Sequence, residues 1–302
     1  MSIDPNAEGT PIGGQWLILG GAILWGTTGT AQAFAPAGFD PLVIGALRLV
    51  VSGIALLLLA LHQGEMGRLK FQHALPLLAA ALFIAGYQLC FFTAVATTGV
   101  AVGTVVGIGS APIAGGILGF LFRGEQLGRA WLAATMLTII GCTLLSLTSG
   151  IVTVDSAGIL LAVGAGACYA AFTLVLKRLL QQSASLPVIA VVFCLGAVIL
   201  SPLLLIGSTD WLMQPRAIGV ILHLGVMATA LPYLLFAWGL KTTQVSTATT
   251  LSLAEPMTAA ILGTLLLGEQ LNLQAGSGVL LIFTGLTLLI QRNRNIVRDA
   301  VQ

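Results

Sequence analysis

Two charged side chains lie inside long apolar runs and are the first candidates for chemistry: Arg48 and Glu255. A charged group at the centre of a membrane costs about 2.5–3.5 kcal/mol even on the lenient insertion scale, so each needs a function or a partner. Glu255 could bind an ammonium group or carry a proton, or it could be a hydrogen-bonded packing residue beside Pro256. Arg48 could bind a carboxylate, or it could reach the membrane interface or backbone carbonyls.

Aromatic and amide side chains form a second group of candidate binding residues. Trp25, Tyr87, Tyr169 and Tyr233 fall near the middle of apolar segments, and Gln88 follows Tyr87. Trp and Tyr usually occupy the membrane interfaces, and a tyrosine hydroxyl buried in the bilayer needs a hydrogen-bond partner. We therefore predict that these residues line a polar central cavity and bind substrate together with the two charged residues.

The residues needed for ATP binding, catalysis or metal binding are missing from the sequence. The sequence has no GxxxxGK[ST] motif for ATP, and no Ser/His/Asp set, carboxylate pair or HExxH for catalysis. Four cysteines stand alone in apolar runs, a pattern that predicts neither a metal site nor disulfides; they are Cys90, Cys142, Cys168 and Cys194. We expect no catalytic residues, no metal, no cofactor and no ATPase subunit, so the protein is not predicted to be an enzyme.

The composition places this chain in a membrane. It is 57% hydrophobic and only 7% charged, with a mean hydropathy of +1.04, whereas soluble domains carry about 25% charged residues. The net charge of +2 is too small to suggest a nucleic-acid partner. No linker divides the chain, so residues 1–302 are predicted to form a single transmembrane domain whose partners are the lipid bilayer and a small-molecule substrate.

The apolar segments predict an all-α protein with about ten transmembrane helices. A spanning helix needs about 20 mostly apolar residues, and the continuous runs lack the alternation of barrel strands. The predicted spans are Trp16–Phe34, Pro41–Leu61, Ala74–Ala96, Ala101–Phe122, Arg129–Leu147, Ala157–Leu176, Pro187–Ile206, Ala217–Leu240, Val245–Leu267 and Gln274–Ile290.

The loop charges predict the orientation. With ten spans, the termini and every second loop share one side, and the opposite side carries Arg216 alone among the loop cations. Cytoplasmic loops carry the Lys/Arg excess, so both termini are predicted to be cytoplasmic. The cations on the predicted cytoplasmic side are Arg68, Lys70, Arg123, Arg129, Lys177, Arg178, Lys241, Arg292, Arg294 and Arg298.

An internal repeat appears at an offset of 144 residues. The stretch Pro112–Leu127 matches Pro256–Leu271 at nine of sixteen positions. The matches include the Gly-Glu-Gln-Leu with which each stretch ends. We predict two five-helix repeats over residues 14–150 and 151–292. Because five is odd, the second repeat is inverted, as in many secondary transporters. The matched prolines Pro112 and Pro256 are candidate hinges; the alternative is that they only shape static helices.

Several residues also resemble a known family: Trp25-Gly26, Pro41, Arg48, and Glu255-Pro256 followed by Leu-Leu-Gly-Glu-Gln-Leu. They resemble the EamA-type branch of the drug/metabolite transporter superfamily over nearly the whole chain. The resemblance implies a multi-pass carrier of the cell inner membrane, often an exporter, and is greatest for aromatic amino acid exporters. The chain departs from repeat symmetry at Ala111, where the second repeat has Glu255.

The sequence thus favours a secondary transporter that exports small amino acids or related metabolites, including aromatic or hydrophobic ones, by alternating access. Efflux of cationic or lipophilic drugs is a second hypothesis and would make Glu255 indispensable. A membrane-embedded enzyme acting on a lipid-linked substrate is disfavoured because clustered interfacial His, Asp or Glu residues are missing. A channel is disfavoured because no filter-like loop interrupts the helices. The sequence leaves the substrate, ion coupling, transport direction and oligomeric state open.

Overall fold

The computed structural model describes residues 13–69, 74–146, 155–270 and 272–301, and the regular secondary structure in these ranges is helical, as predicted. The helices are α1 (Gly13–Trp25), α2 (Thr27–Ala33), α3 (Pro41–His62), α4 (Ala74–Gly99), α5 (Val102–Arg123), α6 (Arg129–Ser146), α7 (Ser156–Leu180), α8 (Ser185–Leu200), α9 (Pro215–Leu240), α10 (Val245–Leu251), α11 (Ala254–Leu267) and α12 (Leu273–Val301). Short helical turns cover Glu65–Arg68, Leu203–Ile206 and Asp210–Met213.

Nine spans within the described ranges are long and apolar enough to cross a membrane. Each corresponds to one of the second to tenth predicted spans, with ends that differ by four residues or fewer. The ninth predicted span comprises α10 and α11, which are separated by a turn at Ser252-Leu253. The predicted repeat boundary at residues 150 and 151, the cation Lys70 and Leu271 lie outside the described residues.

The first predicted span differs from the others because it is interrupted. Trp16–Phe34 is described as two short helices, α1 and α2, on either side of Gly26. Each piece is shorter than the roughly 20 residues that cross a bilayer. The described residues therefore contain nine candidate spans, and a broken helix lies where the sequence predicts a tenth.

Two Gly-Glu turns end α5 and α11 with the same backbone geometry. Gly124 and Gly268 adopt positive φ angles of 63° and 71°, a region that favours glycine. The N–H of Glu125 donates to Gly119 O, and that of Glu269 donates to Gly263 O, both at 3.1 Å. Both bonds span six residues, and a glycine with positive φ at this position commonly ends a helix. The Gly-Glu match seen in the sequence thus corresponds to two copies of one local structure.

The core is built where helices meet at small and aromatic residues. Buried Phe172, Phe193 and Phe236, from α7, α8 and α9, belong to the main apolar cluster. α7 crosses α5 closely, since a Cβ on Gly166 would lie 2.8 Å from both Ala111 N and Gly107 O. Small residues commonly allow such close contact between membrane helices. This packing surrounds a central cavity.

Candidate substrate cavity

A cavity of about 620 Å³ enters the bundle from one end. Its mouth is lined by Pro41, Ser146, Glu269 and Ala275, and we call this the Glu269 end. The volume falls within the roughly 300–1,000 Å³ typical of small-molecule sites. The seven residues predicted to bind substrate all contribute to its wall: Trp25, Arg48, Tyr87, Gln88, Tyr169, Tyr233 and Glu255.

Two interrupted helices cross at the wall of this cavity. The break between α1 and α2 falls at Gly26, and it lies against the start of α11: a Cβ on Gly26 would be 2.8 Å from Glu255 O and 2.5 Å from Thr258 Cβ. Both distances are shorter than normal van der Waals contact, so a larger residue would push the two helices apart. Interrupted helices at membrane depth line the binding sites of many transporters.

Arg48 is held by a third irregular helix. Within α9, residues His223–Ala230 form a π-helix, a conformation that often occurs at functional sites. Arg48 donates from Nε to Thr229 Oγ1 at 3.0 Å and from a terminal nitrogen to Ala228 O at 3.3 Å. Arg48 is therefore buried and bonded to a backbone carbonyl rather than extended to the interface. Arginine has five N–H donors, so it retains donors for a ligand.

The four predicted aromatic residues form one cluster at the inner end of the cavity. The Trp25 ring lies 4.8 Å from Tyr233 and 6.2 Å from Tyr169, and Tyr87 lies 5.6 Å from Tyr169, all centroid to centroid. These separations are typical of favourable aromatic pairs. Among the described residues, the buried Trp25 Nε1–H has no hydrogen-bond acceptor. The cluster gives the cavity a wide apolar wall.

The polar groups of the cavity divide into bonded and free ones. The Tyr169 hydroxyl lies 2.8 Å from Ser252 Oγ, at the break between α10 and α11. Within the described ranges, the Glu255 carboxylate makes no hydrogen bond or ion pair, and the Tyr87 hydroxyl and the Gln88 amide make no hydrogen bond. A few free polar groups that converge on an apolar cavity are typical of a ligand site.

The two candidate hinge prolines occupy different structural positions. Pro256 is the third residue of α11 and lines the cavity. The first turn of a helix tolerates proline because the missing N–H would have no partner there. Pro112 is buried in the middle of α5 and is not part of the cavity wall. The matched sequence positions thus coincide with a helix break in one repeat only.

The opposite end of the bundle, which we call the Glu125 end, is sealed by two buried charged residues. Glu125 accepts hydrogen bonds from Val245 N at 2.6 Å, Ser246 N at 3.0 Å and Ser246 Oγ at 2.6 Å. These bonds satisfy backbone donors at the N-terminus of α10 and place a negative charge at its positive end.

Lys177 holds the other side of the same turn. Its Nζ donates to Leu240 O at 2.9 Å and to Thr243 O at 2.6 Å, where α9 ends. Charge-assisted hydrogen bonds are roughly twice as strong as neutral ones. The turn between α9 and α10 is therefore fixed through its carbonyls by Lys177 and through its amides by Glu125.

Sequence comparison supplies the family. The model of the EamA-like transporter family matches residues 12–147 and again residues 156–291. This chain belongs to the EamA-like transporter family. The family model matches the chain twice, and membership makes the protein a multi-pass membrane protein of a transporter family.

Several family members are similar over most of their length. The uncharacterized transporter YwfM of Bacillus subtilis (strain 168) is 43% identical over 272 residues, which cover 90% of this chain and 92% of YwfM. The threonine/homoserine exporter RhtA of Salmonella typhimurium (strain SL1344) is 30% identical over 257 residues, 84% of each chain. RhtA of Escherichia coli (strain K12) is 28% identical over 284 residues, 93% of this chain and 92% of RhtA.

A protein of known crystal structure shares the fold. It matches with a TM-score of 0.81 and 16% identity, over 94% of this chain and 98% of that protein. At this identity the likeness shows the fold alone. The EamA-like halves therefore adopt an arrangement of helices already seen by crystallography.

Sequence reasoning missed several residues that shape the EamA-like cavity and its sealed end. The sequence shows Glu125 only as part of the repeated Gly-Glu-Gln-Leu and Lys177 only as one of the loop cations, although both are buried and bonded to the α9–α10 turn. Ser252 and Thr229, which hold Tyr169 and Arg48, were also missed. A usable signal was the run of Ser and Thr just before Glu255-Pro256, because clustered hydroxyl residues before a proline favour a helix break.

Proposed function

We propose that this protein is a carrier that exports neutral amino acids across the cell inner membrane by alternating access. The observation that carries the proposal is a cavity that is open at one end and sealed at the other. Its wall contains one arginine, the free carboxylate of Glu255, a second carboxylate at the mouth from Glu269, and seven aromatic rings, among them the four predicted ones. Such a cavity suits a small zwitterion with an apolar part.

The two charged residues match the two charges of an amino acid. Arg48 retains guanidinium donors for the ligand carboxylate, and the free Glu255 carboxylate accepts hydrogen bonds from the ligand ammonium. Binding would neutralise both protein charges inside the membrane, which offsets the desolvation of the ligand. The aromatic rings would then contact the amino acid side chain.

The relatives and the cavity suggest different side chains for the transported amino acid. RhtA is named as an exporter of threonine and homoserine, whose side chains carry a hydroxyl. The free Tyr87 hydroxyl and Gln88 amide could bond to such a group, whereas the rings of Trp25, Tyr169 and Tyr233 suit methionine or phenylalanine. We propose a substrate range that extends from threonine to aromatic amino acids.

We further propose ten spans in two inverted repeats with both termini in the cytoplasm. Counted as one broken span, Gly13–Ala33 would reach roughly 30 Å at 1.5 Å per residue, the thickness of the hydrocarbon core. The predicted cytoplasmic loops carry ten of the eleven loop cations. In this orientation, the Glu269 end faces outward, and rocking of the halves about Pro112 and Pro256 would expose the cavity to each side in turn.

Equilibrium binding to the purified protein tests the site. We expect phenylalanine and threonine to bind, and N-acetylphenylalanine and phenylalanine methyl ester, which each lack one charge, to bind at least about tenfold more weakly, since an unmatched buried charge is costly. Glu255→Gln should bind N-acetylphenylalanine, which lacks the ammonium charge, as well as phenylalanine. Arg48→Gln should bind the methyl ester, which lacks the carboxylate charge, as well as phenylalanine.

One alternative is favoured by a specific observation. A free carboxylate beside aromatic rings also suits a lipophilic cation, which can bind to ring faces. If the methyl ester or a cationic drug binds as tightly as the free amino acid, and Arg48→Gln has no effect, the amino acid proposal is wrong and drug efflux is supported.

A further inference from the structure

The two Gly-Glu turns present their carboxylates in the same way. A Cβ on Gly119 would lie 2.8 Å from Glu125 Cδ, and a Cβ on Gly263 would lie 3.0 Å from Glu269 Cδ. Each carboxylate is thus folded back over the last turns of its own helix. The backbone N–H of each Glu also donates to the equivalent glycine carbonyl, Gly119 O or Gly263 O, at 3.1 Å. Glu269 therefore has the conformation in which Glu125 acts as a cap.

The two carboxylates differ in what they contact. Glu125 is 6% exposed and accepts three hydrogen bonds at the start of α10. Glu269 is exposed at the mouth of the cavity and, among the described residues, its carboxylate accepts no hydrogen bond. Thr104 and Gly107, close to the start of α5, line the same cavity.

The repeat offset identifies the group that Glu269 could cap. Val245 and Ser246, the partners of Glu125, lie 144 residues after Ala101 and Val102, where α5 starts. We propose that Glu269 caps the N-terminus of α5 when the cavity closes at the Glu269 end, as Glu125 caps α10 here. Closure would exchange one Glu cap for the other. This inference rests on the proposed alternating access.

The sealed end also predicts which helices approach each other. At the Glu125 end, α10 packs tightly on α5, because a Cβ on Gly115 would lie 2.8 Å from Thr249 Cγ2. The repeat mates of this pair are Ala259 in α11 and Val105 in α5. In the present structure, Ala259 and Thr104, the neighbour of Val105, both line the open cavity. Closure should therefore bring residues 105 and 259 together.

The seal at the Glu125 end has an additional contact that the proposed seal at the Glu269 end would lack. Lys177, which reinforces the Glu125 seal through two carbonyls, has Ala33 as its repeat mate. The closed Glu269 end would thus have the Glu cap without the lysine. This difference favours the state described here, in which the Glu125 end is sealed, over the state with the opposite end closed.

Disulfide formation tests the proposal without any substrate. The four native cysteines are replaced by serine, and Val105→Cys and Ala259→Cys are introduced. A disulfide needs Cα atoms within about 4.4–6.8 Å, so its rate of formation under a mild oxidant, measured on purified protein in nanodiscs, reports closure of the Glu269 end. The rate does not depend on the orientation of the protein or on the identity of its substrate.

The two Glu residues should act in opposite directions. Glu269→Gln should slow the cross-link by about tenfold and Glu125→Gln should accelerate it by about tenfold, since charge-assisted hydrogen bonds are roughly twice as strong as neutral ones. Asp210→Asn, which removes an exposed carboxylate outside the cavity wall, should leave the rate unchanged. If Glu125→Gln does not fold, Ser246→Ala removes one donor to Glu125 and should also accelerate the cross-link.

A Glu269→Gln rate equal to that of the parent, or a change in the same direction for both Glu variants, would overturn the proposal. Failure of the proposed function is separate, because it would appear as absent amino acid binding while the cross-linking rates still differ.

Discussion

Gly26→Ala should separate the two broken helices that meet at the cavity. The new Cβ would lie 2.5 Å from Thr258 Cβ and 2.8 Å from Glu255 O. Carbon atoms in contact are normally about 3.5–4.0 Å apart, so α2 and α11 must move apart by roughly 1 Å. Overpacking of this kind costs about 1–3 kcal/mol. The backbone itself permits alanine, since Gly26 has φ −60° and ψ −17°.

A second glycine provides the matched control. Gly219 lies in α9, and nothing is within 4 Å of a Cβ placed there. Both substitutions gain up to about 1 kcal/mol of helix propensity, so the difference between the variants reflects the clash. We expect Gly26→Ala to melt several degrees below Gly219→Ala in the same detergent, at roughly 2–4 °C per kcal/mol. Equal melting temperatures, or a higher one for Gly26→Ala, would refute the close crossing of α2 and α11.

Three further substitutions test separate contacts. Glu255→Gln should leave the melting temperature unchanged or raise it, because this carboxylate makes no hydrogen bond within the described ranges. Transport should fall at least about tenfold, and a lower melting temperature alongside that loss would mean a structural role. Tyr169→Phe should cost about 0.5–1.5 kcal/mol in thermal unfolding, since it removes the 2.8 Å contact with Ser252; no change would mean that this contact is not formed. Lys177→Met leaves two carbonyls without their donor and should weaken the sealed end, so the cross-link between residues 105 and 259 should form faster; a slower rate would contradict the role of Lys177.

The long apolar spans could be predicted from the sequence because their signal is strong and local. Pro41–Leu61 was predicted and Pro41–His62 is described, and the spans that follow agree nearly as well. A continuous apolar run of about 20 residues has the length that crosses the hydrocarbon core as a helix. The grouping of Trp25, Tyr87 and Tyr169 around one cavity also followed from their depth in the spans, and their role in binding stays a prediction.

The broken helices were harder to predict, because hydropathy does not report backbone geometry. Trp16–Phe34 reads as one apolar run, yet Gly26 interrupts it where Glu255 and Thr258 approach. The break depends on a contact with residues more than 200 positions away. The break at Ser252-Leu253 had a local signal, the Ser and Thr residues before Pro256, but hydropathy does not report it.

The sealed end could not be deduced from residue types alone. In the sequence, Glu125 and Lys177 look like ordinary charged residues of loops. Charged residues at membrane interfaces usually contact water. Their burial results from a turn between α9 and α10 that folds against them. The repeat shows that Gly-Glu occurs at matching positions in both halves of the sequence. It does not show that the Glu125 carboxylate bonds to the start of α10, which only the structure reveals.

Counterflow through the purified protein tests the central claim most directly. Liposomes that contain this protein alone are preloaded with unlabelled threonine or phenylalanine, and entry of the labelled amino acid is followed without an ion gradient. We expect transient, saturable accumulation that Glu255→Gln reduces at least about tenfold. If folded protein accumulates no neutral amino acid, or if entry never saturates, the protein is not a carrier of neutral amino acids.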